Sequence, residues 1–217
     1  QFDIANKYLA GKKVRLWGLF PLYRSMNKTT EMYQELIDNG PYSDVAPKAQ
    51  MNIGTAKENQ KKFAEAVKVY EKAADKYNKQ PGIVSNALYR AGMALLKEAK
   101  SAEYDQGAAS KAIDIFTDFI ALFPDDTRLE EARGHIDELR IEQARGSLMI
   151  ARFYDKKDAM DGALTYYNDV VDILNRLLND PDHPFAVEAR ERITKLKKNS
   201  STPASVEATT DTAETRS

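Results

Sequence analysis

His135 and His183 are the only histidines in this 217-residue chain, and there is no cysteine. Imidazole chemistry needs company: a metal site or a catalytic base calls for further ligands or a nucleophile at short spacing, and neither histidine has a second one four residues away. His135 lies inside a helical pattern and His183 in a Pro-Asp-His-Pro junction, so both are read as surface histidines. No G-x-S-x-G elbow, phosphate-cradling loop or G-x-G-x-x-G turn is present. Carboxylates are abundant, but Asp125, Asp126, Glu130, Glu131, Asp137 and Glu138 are interleaved with Arg128, Arg133 and Arg140 at helical steps, the pattern of a solvated helix face. Nothing converges on a reaction, and the chain reads as a non-enzyme that takes no cofactor and no metal. Asn27-Lys28-Thr29 and Asn199-Ser200-Ser201 match a glycosylation acceptor by chance as readily as by design.

The elements behind these residues are helices that recur. Gly54, Phe63, Ala66, Tyr70 and Ala73 set a pattern of small and aromatic positions, repeated as Ala112, Phe116, Phe119, Pro124 and as Ala151, Tyr154, Ala163, Tyr167, Val170, with a first copy at Thr29, Tyr33, Leu36, Pro41. A small residue lets two helices approach, an aromatic fills the gap to the next helix, and proline stops the second helix. This is the signature of a tetratricopeptide (TPR) array. Pro41 to Ala49, Pro124 to Ala132 and Pro181 to Ala189 each span eight residues, so one junction is reused. From Gly54 to Ala66 is 12 residues but from Gly92 to Ala112 is 20, which places an eight-residue insertion near 101–107 as a helix end plus loop.

The periodicity predicts helices over 28–39, from a Ser43 or Asp44 cap to 59, over 63–77, 83–100, 108–123, an unusually long 127–154 with soft points at Gly134 and Gly146, 158–179, and a capping helix over 185–198. The expected fold class is all-α: a TPR-like α-solenoid of about nine helices, antiparallel pairs wound as a right-handed superhelix without a sheet. Residues 1–198 form the helical domain. Residues 199–217, rich in Ser, Thr and Ala, are expected to be a disordered tail.

Composition excludes several function classes. With 42% hydrophobic and 30% charged residues the chain is globular in character, and 32 basic against 33 acidic residues leave no field for nucleic acid. The first thirty residues are locally basic, with Lys7, Lys12, Lys13, Arg15, Arg24 and Lys28 against Asp3 alone. The segment Lys12 to Arg24 interrupts the first repeat and carries Leu16, the only tryptophan Trp17, Leu19, Phe20, Leu22 and Tyr23 beside those cations. It reads either as a hydrophobic loop against the first helices or as a protein- or membrane-surface contact through Arg15, Trp17, Phe20 and Tyr23. No run reaches the ~18 apolar residues of a membrane span. The chain begins at Gln1, which is compatible with removal of a signal or lipid-anchoring segment.

The stretch Gly40-Pro41-Tyr42-Ser43-Asp44-Val45-Ala46-Pro47-Lys48-Ala49-Gln50, the helix pair after it, Phe116-Thr117-Asp118-Phe119-Ile120-Ala121-Leu122-Phe123-Pro124 and the long helix ending Ala151-Arg152-Phe153-Tyr154-Asp155-Lys156-Lys157 together resemble the BamD (YfiO) family of outer-membrane assembly lipoproteins, over about residues 28 to 197. The resemblance implies a periplasmic TPR scaffold held to the outer membrane through a lipidated cysteine that this chain does not contain. Its implied partners are a POTRA-containing β-barrel insertase, other assembly lipoproteins and unfolded barrel precursors received by the N-terminal repeats. It also implies that the basic turn at Lys157, and more loosely Lys156, touches the last POTRA domain. An alternative reading is another cell-envelope adaptor, similar to the C-terminal TPR domain of the Tol-Pal-associated coordinator CpoB.

Overall fold

The computed structural model describes residues 1–10, 15–16, 20–21, 26–101 and 106–201. Among these the chain forms nine α-helices: α1 (Phe2–Leu9), α2 (Met26–Asn39), α3 (Ala46–Asn59), α4 (Phe63–Lys76), α5 (Pro81–Ser101), α6 (Gln106–Leu122), α7 (Leu129–Lys156), α8 (Met160–Asp172) and α9 (Pro184–Ser201). A π-helical turn, Ile173–Leu177, continues α8. The all-α, TPR-like class holds, with one correction. Inside the segment at 12–24 a two-residue antiparallel ladder pairs β1 (Arg15–Leu16) with β2 (Phe20–Pro21), Arg15 opposite Pro21 and Leu16 opposite Phe20, where no sheet was expected. Trp17 and Tyr23 lie outside the described residues, as do 102–105 of the inserted loop and 202–217 of the expected tail.

The helix boundaries follow from local chemistry. Pro47 stands in the first turn of α3, and Pro81 and Pro184 open α5 and α9, where a missing N–H costs nothing. Ser43 and Asp44 do not cap α3: Val45 occupies that position without a side-chain bond, and Ser43 Oγ turns back to donate to the Gly40 carbonyl at 2.7 Å. Three of the stops use a residue other than glycine in the left-handed region, one of them Asn179 (φ 52°) after the π-helical turn. Lys61 (φ 59°) follows α3 and Asp158 (φ 54°) follows α7, and in each case the next amide reaches back five residues, Lys62 N to Lys57 O at 3.0 Å and Ala159 N to Tyr154 O at 3.0 Å. These are Schellman stops, which turn the chain sharply enough for the following helix to fold back. The ion pair of Lys57 and Glu65, 2.6 Å across the first of these turns, ties α3 to α4.

The chain divides into two compact units, with the boundary inside α7 after Gln143. In the first, α1 through α6 pack each on its sequence neighbour and the core runs from Ala5 and Tyr33 through Tyr70 and Phe116 to Leu139. In the second, α8 packs on α9, and Ala144, Leu148, Ala151, Tyr167, Val170 and Leu174 form a separate core. The repeat positions explain this packing. A Cβ on Gly54 would enter the Tyr70 ring, one on Gly92 would stand 2.7 Å from the Phe116 ring, and one on Gly162 2.8 Å from the Tyr154 ring. Each aromatic lies directly on the backbone of a neighbouring helix. Ala66, Ala112 and Ala163 are fully buried beside them, whereas Phe63 is half-buried.

Candidate partner-binding site

The junctions between repeats carry polar side chains that periodicity alone does not reveal. The buried alanines Ala49, Ala87, Ala132 and Ala189 are each followed three residues later by Asn52, Arg90, His135 and Arg192. Each of the four reaches the aromatic of the preceding repeat or the acid bonded to it. Asn52 Nδ2 donates to Tyr33 Oη at 3.2 Å, and Arg90 Nη2 to Tyr70 Oη at 3.2 Å. The His135 ring lies 5.5 Å from that of Phe116, and Arg192 Nε donates to Asp155 Oδ2 at 2.7 Å, the oxygen that also accepts from Tyr167 Oη at 2.9 Å.

Glu58 is the most enclosed carboxylate of this set, at 8% exposure, and both of its oxygens are engaged. Tyr70 Oη donates to it at 2.6 Å, Arg90 lies at 2.7 Å and Lys97 at 2.9 Å. Burial, reinforced by the facing Glu58, pushes the Tyr70 hydroxyl up to about 12. With donors from α4 and α5 on both of its oxygens, this carboxylate of α3 fastens three helices together. A second fastening joins the α6–α7 turn to α5: Arg128 lies on the Tyr89 ring at 4.6 Å and pairs with Asp126 at 2.7 Å, and Ser85 donates to Asp126 at 3.0 Å. The Arg128 bonds hold the Asp126 carboxyl well below the usual carboxylate range.

Neither histidine is simply a surface group. His135 is packed against Phe116, and His183 accepts the Phe185 amide on Nδ1 at 3.2 Å while its carbonyl receives the Ala186 amide, so it starts α9. Both roles are structural.

The features left over lie on the surface of the second unit. Met149 (64% exposed), Ile150 (38%) and Phe153 (57%) are large apolar side chains of α7 turned away from the core that Leu148 and Ala151 enter. Lys156 and Lys157 follow within a turn, both exposed and both without an ion-pair partner among the described residues. Apolar groups rimmed by cations in this way mark a contact surface. The sequence identified the two lysines but not the stripe beside them, because Met149 and Phe153 merge with Leu148 and Ala151 into one broad apolar band.

In the first unit, Tyr42 is 98% exposed beside a cleft of about 370 Å³ between the α2–α3 and α4–α5 turns, lined by Pro41, Pro47, Lys76, Tyr77 and Lys79 among others. Arg15 and Phe20 lie in the β ladder, described there as backbone only.

No helix among the described residues is long and apolar enough to cross a membrane. No curated protein matches the chain. A family model described as YfiO, outer membrane lipoprotein, matches residues 23–175.

Proposed function

Since the chain belongs to the YfiO outer membrane lipoprotein family, we propose that it is a non-enzymatic periplasmic scaffold of β-barrel assembly, which docks a POTRA-containing barrel insertase through the end of α7. The observation that carries this reading is the exposed stripe of Met149, Ile150 and Phe153 beside the unpaired Lys156 and Lys157. An apolar centre supplies affinity on docking, and cations at its rim select a partner face that carries carboxylates. Other assembly lipoproteins belong to the same set of partners. The exposed Tyr42 and its cleft in the first unit suit an extended segment of an unfolded barrel precursor, because aromatic-lined grooves dock extended chains through their side chains. Arg15, Trp17, Phe20 and Tyr23 form a second contact in this proposal, directed at a precursor or an envelope surface.

The test reverses both lysines, Lys156→Glu with Lys157→Glu, and measures retention of the cognate insertase in pull-downs from the cell envelope. Retention should fall at least tenfold with helicity unchanged, because exposed turn charges contribute to docking far more than to folding. Trp17→Ala should leave that association intact while lowering precursor binding. Wild-type protein that retains no insertase would overturn the reading.

A further inference from the structure

The helix expected to serve as a terminal cap carries a charge pattern that a cap does not need. Glu188, Arg192 and Lys195 recur on α9 at steps of four and three, one stripe of the helix. The first two are bound to α7: Arg152 forks onto Glu188 with bonds of 2.7 and 2.6 Å, and Arg192 pairs with Asp155. Positions 152 and 155 of α7 thus meet 188 and 192 of α9 in ascending order. The two helices run side by side in the same direction, so the exposed Lys195, one turn past Arg192, lies toward the same end of the pair as Lys156 and Lys157, which directly follow Asp155.

The same pairs decide the charge of this edge. Glu188 and Asp155, the acids between the helices, are consumed by arginines, while Lys156, Lys157 and Lys195 have no ion-pair partner among the described residues. Asp158, next to Lys157 in sequence, and Glu191, one turn before Lys195 on α9, are exposed and are two acids against three cations. On α7 the apolar side chains border this edge, since Met149, Phe153 and Lys156 follow one another at steps of four and three.

We propose that α9 is part of the docking surface: Lys195 joins Lys156, Lys157 and the Met149–Phe153 stripe in a two-helix face for a folded protein domain that presents carboxylates around an apolar centre. This rests on the scaffold reading above and extends it to a second helix. Charge complementarity selects the occupant, because a face with three unpaired ammonium groups around an apolar stripe gains most from carboxylates held in a fixed arrangement.

The experiment uses the full chain and titrates it calorimetrically with the purified POTRA domains of the cognate insertase, for Lys195→Glu, Lys195→Gln, Lys195→Arg and, as a control on α6, Lys111→Glu. Lys195→Glu should weaken binding about tenfold and Lys195→Gln about threefold. Lys195→Arg should stay within twofold of wild type, and Lys111→Glu should change nothing. Lys195→Gln keeps the test valid if charge reversal lowers helicity. If Lys195→Glu and Lys195→Gln bind as wild type while reversal of Lys156 and Lys157 weakens binding, α9 is only a cap and the scaffold reading survives without this extension. Unchanged binding in all variants, or none by wild type, overturns both. If Lys195→Glu lowers association with phosphatidylglycerol vesicles and leaves POTRA binding unaltered, the occupant is a lipid surface and the proposal fails.

Discussion

Tyr70 Oη donates to Glu58 Oε1 at 2.6 Å, and Tyr167 Oη donates to Asp155 Oδ2 at 2.9 Å in the same relation, each acid lying 12 residues before its tyrosine. Arg90 and Arg192, from the next helix of the array, complete the two clusters. The first repeat uses a neutral version, with Tyr33 donating to Asn6 at 2.6 Å and Asn52 donating to both. The third has Phe116 and so no hydroxyl; it is fastened by rings, with Tyr89 at 6.0 Å and His135 at 5.5 Å from Phe116. One geometric position thus serves in ionic, amide and aromatic forms.

The Tyr70 hydroxyl gives the protein an alkaline limit. Its folded pKa, pushed to about 12, stands above the unfolded value near 10, so the neutral form is favoured in the folded state. The associated stability is complete below pH ~10 and is lost as pH rises toward about 12, a loss of order 2 to 3 kcal/mol. In urea unfolding followed from pH 8 to 12, Tyr70→Phe should start less stable, since Glu58 loses a donor, and should decline less steeply. Parallel curves for the two proteins would contradict the assignment.

Two glycines should answer oppositely to alanine. Gly92→Ala pushes a methyl against the Phe116 ring and should cost about 1 to 3 kcal/mol by overpacking. Gly134→Ala, inside α7 with nothing within 4 Å of the new Cβ, should stabilise by up to ~1 kcal/mol through helix propensity. Thermal unfolding of the two variants checks both signs together.

Lys61 is exposed and sits at φ 59°, a conformation that glycine adopts without penalty. Lys61→Gly should therefore raise stability by roughly 0.5 to 1 kcal/mol, the relief of left-handed strain exceeding the added unfolded-state entropy. A lower midpoint in chemical denaturation would show that the turn does not depend on that strain.

The sequence was most informative where a position has a steric task. Gly54, Ala66 and Tyr70, like Ala163 and Tyr167, could be placed because close approach admits only small residues on one side and a ring on the other. Arg90 and Arg192 were illegible because a cation on a charged helix looks solvated whether it points to water or to a buried acid. The available signal was their shared offset of three residues from Ala87 and Ala189. Pairing of Arg15–Leu16 with Phe20–Pro21 was missed because a two-residue ladder is too short to show alternation. The exposed stripe of Met149 and Phe153 was hidden for another reason: helical periodicity marks an apolar band but does not say which edge of it a neighbour covers.

Exposure of Met149 makes the proposed docking face chemically addressable. Met149 is 64% exposed whereas Met51 is 7% exposed, so peroxide should convert Met149 to the sulfoxide well before Met51. The product is polar and would stand on the same stripe as Phe153, so the proposed docking surface is open to oxidative loss of its partner and to reductase repair. Slower sulfoxide formation at Met149 in a complex would then serve as a footprint of occupancy that requires no mutation.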